Sequence, residues 1–329
     1  MFFMPGEFEL IAHLKNRYGL GRVGDDCAVL PKDDRTDTVV TADLVVEDVD
    51  FRIAWTRPEF VGHKALAVSL SDVAAMGARP VWALVSLGVP ERLWQTDFVE
   101  RFYQGWFALA RRHEVELVGG DVSRTPDKFV VDSTVAGEVE KGRAVLRSGA
   151  KAGDLLCVTG ALGGAAAALE LLENGERDNR TGDEALLLRQ LAPEPRATLG
   201  RALGEKNLAT AMIDLSDGLS SDLRHLCAAS GVGAKIFAEQ IPIDENLTVA
   251  FKILNRELTA AGALALALDG GEDFELLFAV ERKKISELRE ALPAGSFSVI
   301  GEATANAEII ELIEAGESRV LTPGGFRHF

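Results

Sequence analysis

The stretch Phe60 to Met76 predicts a helix of small apolar residues, and it carries one carboxylate, Asp72, within its apolar stripe. At 100° per residue Asp72 shares a face with Ala65, Val68, Ser69 and Met76. No lysine or arginine stands three or four residues away on either side. A buried carboxylate without a partner is costly, and it pairs with a cation or shifts its pKa. Any fold for this chain must supply that partner, and a metal ion would do so. Gly77 follows the helix, where a left-handed cap is common.

Four other acidic groups sit at the ends of apolar runs: Asp25-Asp26 after Gly24, Asp43 after Thr41-Ala42, Asp121 after Gly119-Gly120, and the Asp214–Gly218 segment with Asp217. Taken singly, each is accounted for by a turn or a helix N-cap, and Asp217-Gly218 is placed to cap the helix after it. Taken together with Ser and Thr oxygens, they form a hard-oxygen donor set of the kind that suits Mg²⁺. The five histidines show no i,i+4 pair and the three cysteines no paired spacing, so zinc is not expected. Calcium is weakened by the lack of an EF-hand loop. Gly119-Gly120 and Gly160–Gly164 are places where backbone N–H groups can cradle phosphate, although a tight strand-to-helix turn explains the second equally well. Neither a P-loop nor a dinucleotide-binding glycine fingerprint is present.

The same pass predicts helices over 5–18, Asp97–His113, Gly164–Glu173 and Gly218–Ser230. It predicts strands at Cys27–Leu30, Thr38–Thr41, Leu44–Val46, Val81–Val89, Glu116–Val118, Phe129–Val139, Leu155–Thr159, Ala211–Leu215 and Glu275–Val280. Glu173–Asp183 is the most loop-like stretch. The polar connector RSGAKAGD sets a boundary near 148, giving two mixed α and β domains, 1–148 and 149–329. With 329 residues, 47% of them hydrophobic, two such domains have real cores.

The formal charge of −16 argues against nucleic-acid binding, since a polyanion would be repelled. An anionic nucleotide meets the same objection unless cations stand between it and the protein. Scattered cysteines, no secretory leader and no apolar run of ~20 residues predict a soluble cytoplasmic protein without a membrane span.

The blocks GDDCAVL, HKALAVSLSDVAAMGA, ELVGGD, RSGAKAGD, IDLSDGLSSDL and GGEDFELLF, in this order over nearly the whole chain, resemble the thiamine-monophosphate kinases of the aminoimidazole ribonucleotide synthetase-like superfamily. The resemblance implies a two-domain α/β (α+β) fold whose N-terminal domain binds ATP and Mg²⁺ and dimerises. It implies direct transfer of the ATP γ-phosphoryl to thiamine monophosphate. Carried over by position, the metal ligands are Asp26, Thr41, Asp43, Asp72, Asp121, Asp214 and Asp217. ATP contacts fall to Tyr103, Gly120, Asp121, Arg147 and Ser216. Asp50, Glu272 and Phe326 match acceptor positions. No general base is expected, because the acceptor phosphate is largely deprotonated at pH 7 with a second pKa near ~6.

Two departures stand out. The family's substrate histidine is Asp50 here, within Asp48-Val49-Asp50-Phe51, and the pair it writes Thr-Asp is Ala42-Asp43. They leave two other readings open: a sister enzyme with another acceptor, and a catalytically silent nucleotide-binding paralogue.

Overall fold

The computed structural model describes residues 6–175 and 184–325. The first half contains α1 (Glu7–Tyr18), β1 (Ala28–Pro31), β2 (Thr36–Val46), α2 (Pro58–Ala75), β3 (Arg79–Pro90), α3 (Glu91–Trp94), α4 (Phe98–Arg112), β4 (Glu116–Thr125) and β5 (Val130–Glu140). The strands form a sheet in the order β1-β2-β5-β3-β4, with β3 and β4 parallel and the other pairs antiparallel. Its inner face supplies Val39, Val45, Val85, Leu87, Val131 and Val135 to a core shared with α2 and α4. The outer face leaves Leu44 and Leu84 exposed.

Helices α2 and α4 cross at Gly62 and Gly105. A methyl group at Gly62 would lie 1.9 Å from the Phe102 carbonyl oxygen, and one at Gly105 would lie 1.8 Å from that of Glu59. Backbone cannot yield cheaply at such a crossing. Gly62→Ala is therefore expected to destabilise the protein by about 1–3 kcal/mol or more, read as a lower urea midpoint at unchanged slope.

The second half contains β6 (Leu155–Thr159), α5 (Gly164–Glu173), α6 (Glu184–Leu191), α7 (Ala197–Glu205), β7 (Ala209–Asp214), α8 (Leu219–Ser230), β8 (Gly233–Phe237), α9 (Leu247–Ile253), α10 (Ala260–Asp269), β9 (Leu276–Val280), α11 (Ile285–Ala291), β10 (Phe297–Thr304), β11 (Ile310–Glu314) and β12 (Glu317–Val320). Its sheet runs β12-β11-β8-β10-β6-β9-β7, with β11 and β8 parallel. Leu156, Val158, Leu277 and Ala279 face a core built with α8 and α10. Leu155, Cys157, Leu276 and Phe278 face another built with α7 and α11. Helices on both faces explain why β6 and β9 are continuous apolar runs rather than alternating ones.

The end of α2 belongs to both halves. Ala74 and Ala75 pack in the core of α7 and α11, and a methyl at Gly200 would meet the Ala74 carbonyl oxygen at 2.1 Å. Gly77 has φ 66 and caps the helix as its sequence position predicts.

Two expectations need correction. The runs Thr38–Thr41 and Leu44–Val46 are one strand, because Ala42 and Asp43 pair with Thr134 and Ser133 on β5. Gly119-Gly120-Asp121 does not end a strand: β4 continues to Thr125. Gly120 is required there by proximity, since a methyl would meet the Val85 carbonyl oxygen at 1.8 Å. The predicted loop 173–183 falls largely outside the described residues.

Candidate active site

Asp26, Asp72 and Asp214 come from three separate places in the sequence: the 24–27 turn, the buried helix α2, and the end of β7. Each offers one carboxylate oxygen, and the three oxygens lie within 4.8 Å of one another. Asp26 and Asp214 are buried, and Asp72 is partly so. Two like charges at that distance repel by about 3.5 kcal/mol even at an effective dielectric of ~20. Three such pairs together approach the net stability of a whole domain, about 5–15 kcal/mol. The cluster therefore needs protons or a cation.

The electrostatics follow from that crowding. Burial, then the charges of Asp43, Asp214 and Asp26, push Asp72 well above the ordinary carboxylate range. Burial and then Asp26 push Asp214 up to about 7. Asp43 is pushed up to about 6, chiefly by burial. Hydroxyl groups partly offset these costs. Ser71 donates to Asp214 at 2.7 Å, Ser69 donates to Asp43 at 2.7 Å, and Thr41 donates to Asp72. Asp26 Oδ1 accepts from Arg147 Nη2 at 2.6 Å and from Nε at 3.1 Å, whereas its buried Oδ2 has no hydrogen-bond partner among the described residues. An orphaned carboxylate oxygen beside two further carboxylates fits a hard divalent cation, and all the donors are oxygens.

Beside this cluster lies a cleft of about 970 Å³ between the two halves, and Asp43, Asp50, Arg147, Ser216, Asp217 and Glu272 line it. Gly218 stands at the N-cap of α8. The buried Asp222 accepts from the N–H groups of Asp217 and Gly218, at 3.2 and 3.1 Å, and so fixes the Asp214–Gly218 turn. Gly160–Gly164 forms a strand-to-helix turn, and the N–H groups of Gly163 and Ala165 donate to Asp273. An internal carboxylate thus takes the Gly163 donor, while the N–H groups of Gly160 and Leu162 go to the carbonyls of Ser296 and Pro242. Asp50 turns its Oδ2 back to the N–H of Val46 at 2.7 Å.

Tyr103, Gly120 and Asp121 do not line the cleft. Tyr103 packs edge-on against Phe102 and at a tilt against Phe107 on α4. Asp121 is exposed on β4 beside Ser86, in the row that faces away from α2. Phe326 lies outside the described residues, although Gly325, immediately before it, lines the cleft. A methyl at Gly324 would meet the Asp269 carboxylate at 2.8 Å, and Ser220 links the two by donating to Asp269 and accepting from the Gly324 N–H.

Sequence reasoning missed Lys64, Asp222 and this Ser220–Asp269 clip. Lys64 carried a signal, being a charged residue eight positions before Asp72 on the same helical stripe.

Residues 24–139 match the model of the AIR synthase related protein N-terminal domain, and residues 151–313 match that of its C-terminal domain. Fold and site thus define a two-domain protein of the AIR synthase related class. The thiamine-monophosphate kinase of Bacillus subtilis (strain 168) is 36% identical over 93% of both chains, and that of Escherichia coli (strain K12) is 38% identical over 98% of both. The structure of AaThiL complexed with AMPPCP and TMP, 33% identical, superposes over the whole of both chains with a TM-score of 0.87. The chain belongs to the thiamine-monophosphate kinase family.

Proposed function

We propose that this protein is an ATP-dependent kinase that phosphorylates thiamine monophosphate to thiamine diphosphate, with Mg²⁺ held by Asp26, Asp72 and Asp214. The observation that carries this reading is the convergence of those three carboxylates beside a cleft that also presents Arg147 and Glu272. Thr41, which donates to Asp72, Asp43, whose charge acts on Asp72, and Asp217 in the cleft wall are assigned as further oxygen donors. Bound there, Mg²⁺ supplies charge neutralisation for two polyanions that would otherwise repel each other and the −16 protein.

The chain's own side chains do the positioning. Arg147 has a planar guanidinium suited to paired phosphate oxygens, and Ser216 lines the same cleft. Glu272 and Asp50 lie with Phe51 and Trp55 on the part assigned to the acceptor. No side chain is needed as general base, since the acceptor oxygen is already deprotonated.

The outer face of the first sheet, with Leu44 and Leu84 exposed, supports a homodimer. Asp121, in the outer row beside Ser86, lies on that face and would be carried toward the partner by such pairing. The boundary between the domains belongs near 148, after the first sheet and before the second. No helix among the described residues is long and apolar enough to cross a membrane, and Cys27, Cys157 and Cys227 are buried free thiols; both support a cytoplasmic enzyme.

Incubating the pure protein with Mg-ATP and thiamine monophosphate should yield thiamine diphosphate by mass. Tight nucleotide binding without product would point to a silent paralogue, and turnover only with another phosphorylated compound to a sister enzyme.

A further inference from the structure

Lys64 is a buried charge in the cleft that the carboxylate chemistry leaves unused. Its side chain is only 4% exposed, and its ammonium lies 2.6 Å from Glu272 Oε1 and 3.0 Å from the Asp50 carbonyl oxygen. The other Glu272 oxygen accepts from Gln190. A buried ammonium is tolerated only when paired and hydrogen-bonded, so this arrangement holds both partners in place.

The backbone behind Glu272 is equally constrained. Glu272 and Phe274 have φ of 58 and 48, in the left-handed region that residues with side chains seldom occupy. The Glu272 N–H donates to the Ser216 carbonyl at 2.7 Å and the Phe274 N–H to that of Leu215 at 2.9 Å. Strained backbone of this kind persists where the surroundings over-determine it, and it collects at ligand sites. Lys64 supplies the restraint from the side-chain end.

Lys64, Val68 and Asp72 stand at i, i+4 and i+8 on α2, so they share one stripe. Eight residues at helical rise span about 12 Å. One helix face therefore carries a metal-ligand candidate at one end and the holder of Glu272 at the other. That span suits a small organic phosphate whose phosphate meets the carboxylate cluster while its far end meets Glu272.

We propose that Lys64 is a positioning residue for the acceptor: it sets the Glu272 carboxylate to receive the cationic or N–H-bearing heterocycle at the end remote from phosphate. This rests on the acceptor assignment made above. Asp50 joins the same arrangement through its backbone carbonyl, which explains how an aspartate serves at a position whose side chain is turned toward Val46.

The test is steady-state kinetics on Lys64→Met, Glu272→Gln and the double variant, varying each substrate. Lys64→Met is expected to raise the KM for thiamine monophosphate about tenfold or more, close to 1.4 kcal/mol. The kcat and the KM for ATP should stay within about twofold. The double variant should be no worse than the worse single one, because both changes dismantle one unit. Lys64→Gln, which keeps a donor, should recover part of the loss and answers the question if the Met variant does not fold. Equal losses in both KM values and in kcat, or a double variant whose loss is the product of the single losses, would overturn the proposal. A wild-type protein that does not phosphorylate thiamine monophosphate would instead overturn the function proposed above, before any variant is compared.

Discussion

Asp72→Asn is expected to lower kcat by more than about a hundredfold, or roughly 2.7 kcal/mol of transition-state stabilisation, while the metal-free protein becomes no less stable. The two effects share one cause. Asp72 lies within 4.8 Å of both Asp26 and Asp214, and no lysine or arginine stands three or four residues from it on its helix. Replacing the carboxylate by an amide of the same shape removes two repulsive pairs and leaves an oxygen to accept from Thr41. The metal-free fold gains what the cluster loses in affinity for a cation. A thermal melt in chelator together with a turnover assay measures both. Near-wild-type turnover would remove Asp72 from the metal site, and a large drop in Tm would make it structural.

The second large effect is a pH dependence that Mg²⁺ abolishes. In the folded chain Asp72, Asp214 and Asp43 have pKa values raised above the ordinary carboxylate range, Asp214 to about 7 and Asp43 to about 6. Between pH ~4 and ~7 the folded state thus binds more protons than the unfolded state, and stability falls as pH rises through that window. Metal-free protein should therefore melt at a lower temperature at pH 8 than at pH 5, by the equivalent of a few kcal/mol. Mg²⁺ binds the deprotonated cluster, so its stabilisation should be large at pH 8 and nearly absent at pH 5. At a hundred times its Kd it would contribute about 2.7 kcal/mol. Equal Mg²⁺ stabilisation at both pH values would contradict the assignment.

Particular residues show what was legible in the sequence. Helix α2 announced itself by its small apolar residues, and the anomaly of Asp72 within it pointed to the site before any fold was known. The continuous apolar runs of β6 and β9 carried their own burial. The remainder of the second half was less readable. Helices α6, α7, α9 and α11 are short, and β8 and β10–β12 alternate weakly, so tertiary packing rather than local pattern decides them.

At the site, separated carboxylates could be listed but not assembled. Only the fold brings the ends of β7 and α2 together, through the Ser71–Asp214 hydrogen bond across 143 residues. Lys64 escaped notice because its partner, Glu272, is remote in sequence and held by an unusual backbone. Asp121 and Gly120 matched a pattern in the sequence, yet β4 carries them away from the cleft of their own chain.

The most direct measurement is anomalous scattering from crystals soaked in Mn²⁺ as a substitute for Mg²⁺. A strong peak bonded to oxygens of Asp26, Asp72 and Asp214 is the expected result. Full Mn²⁺ occupancy elsewhere, with the three carboxylates bare, would show that the gathering of acidic groups has another purpose.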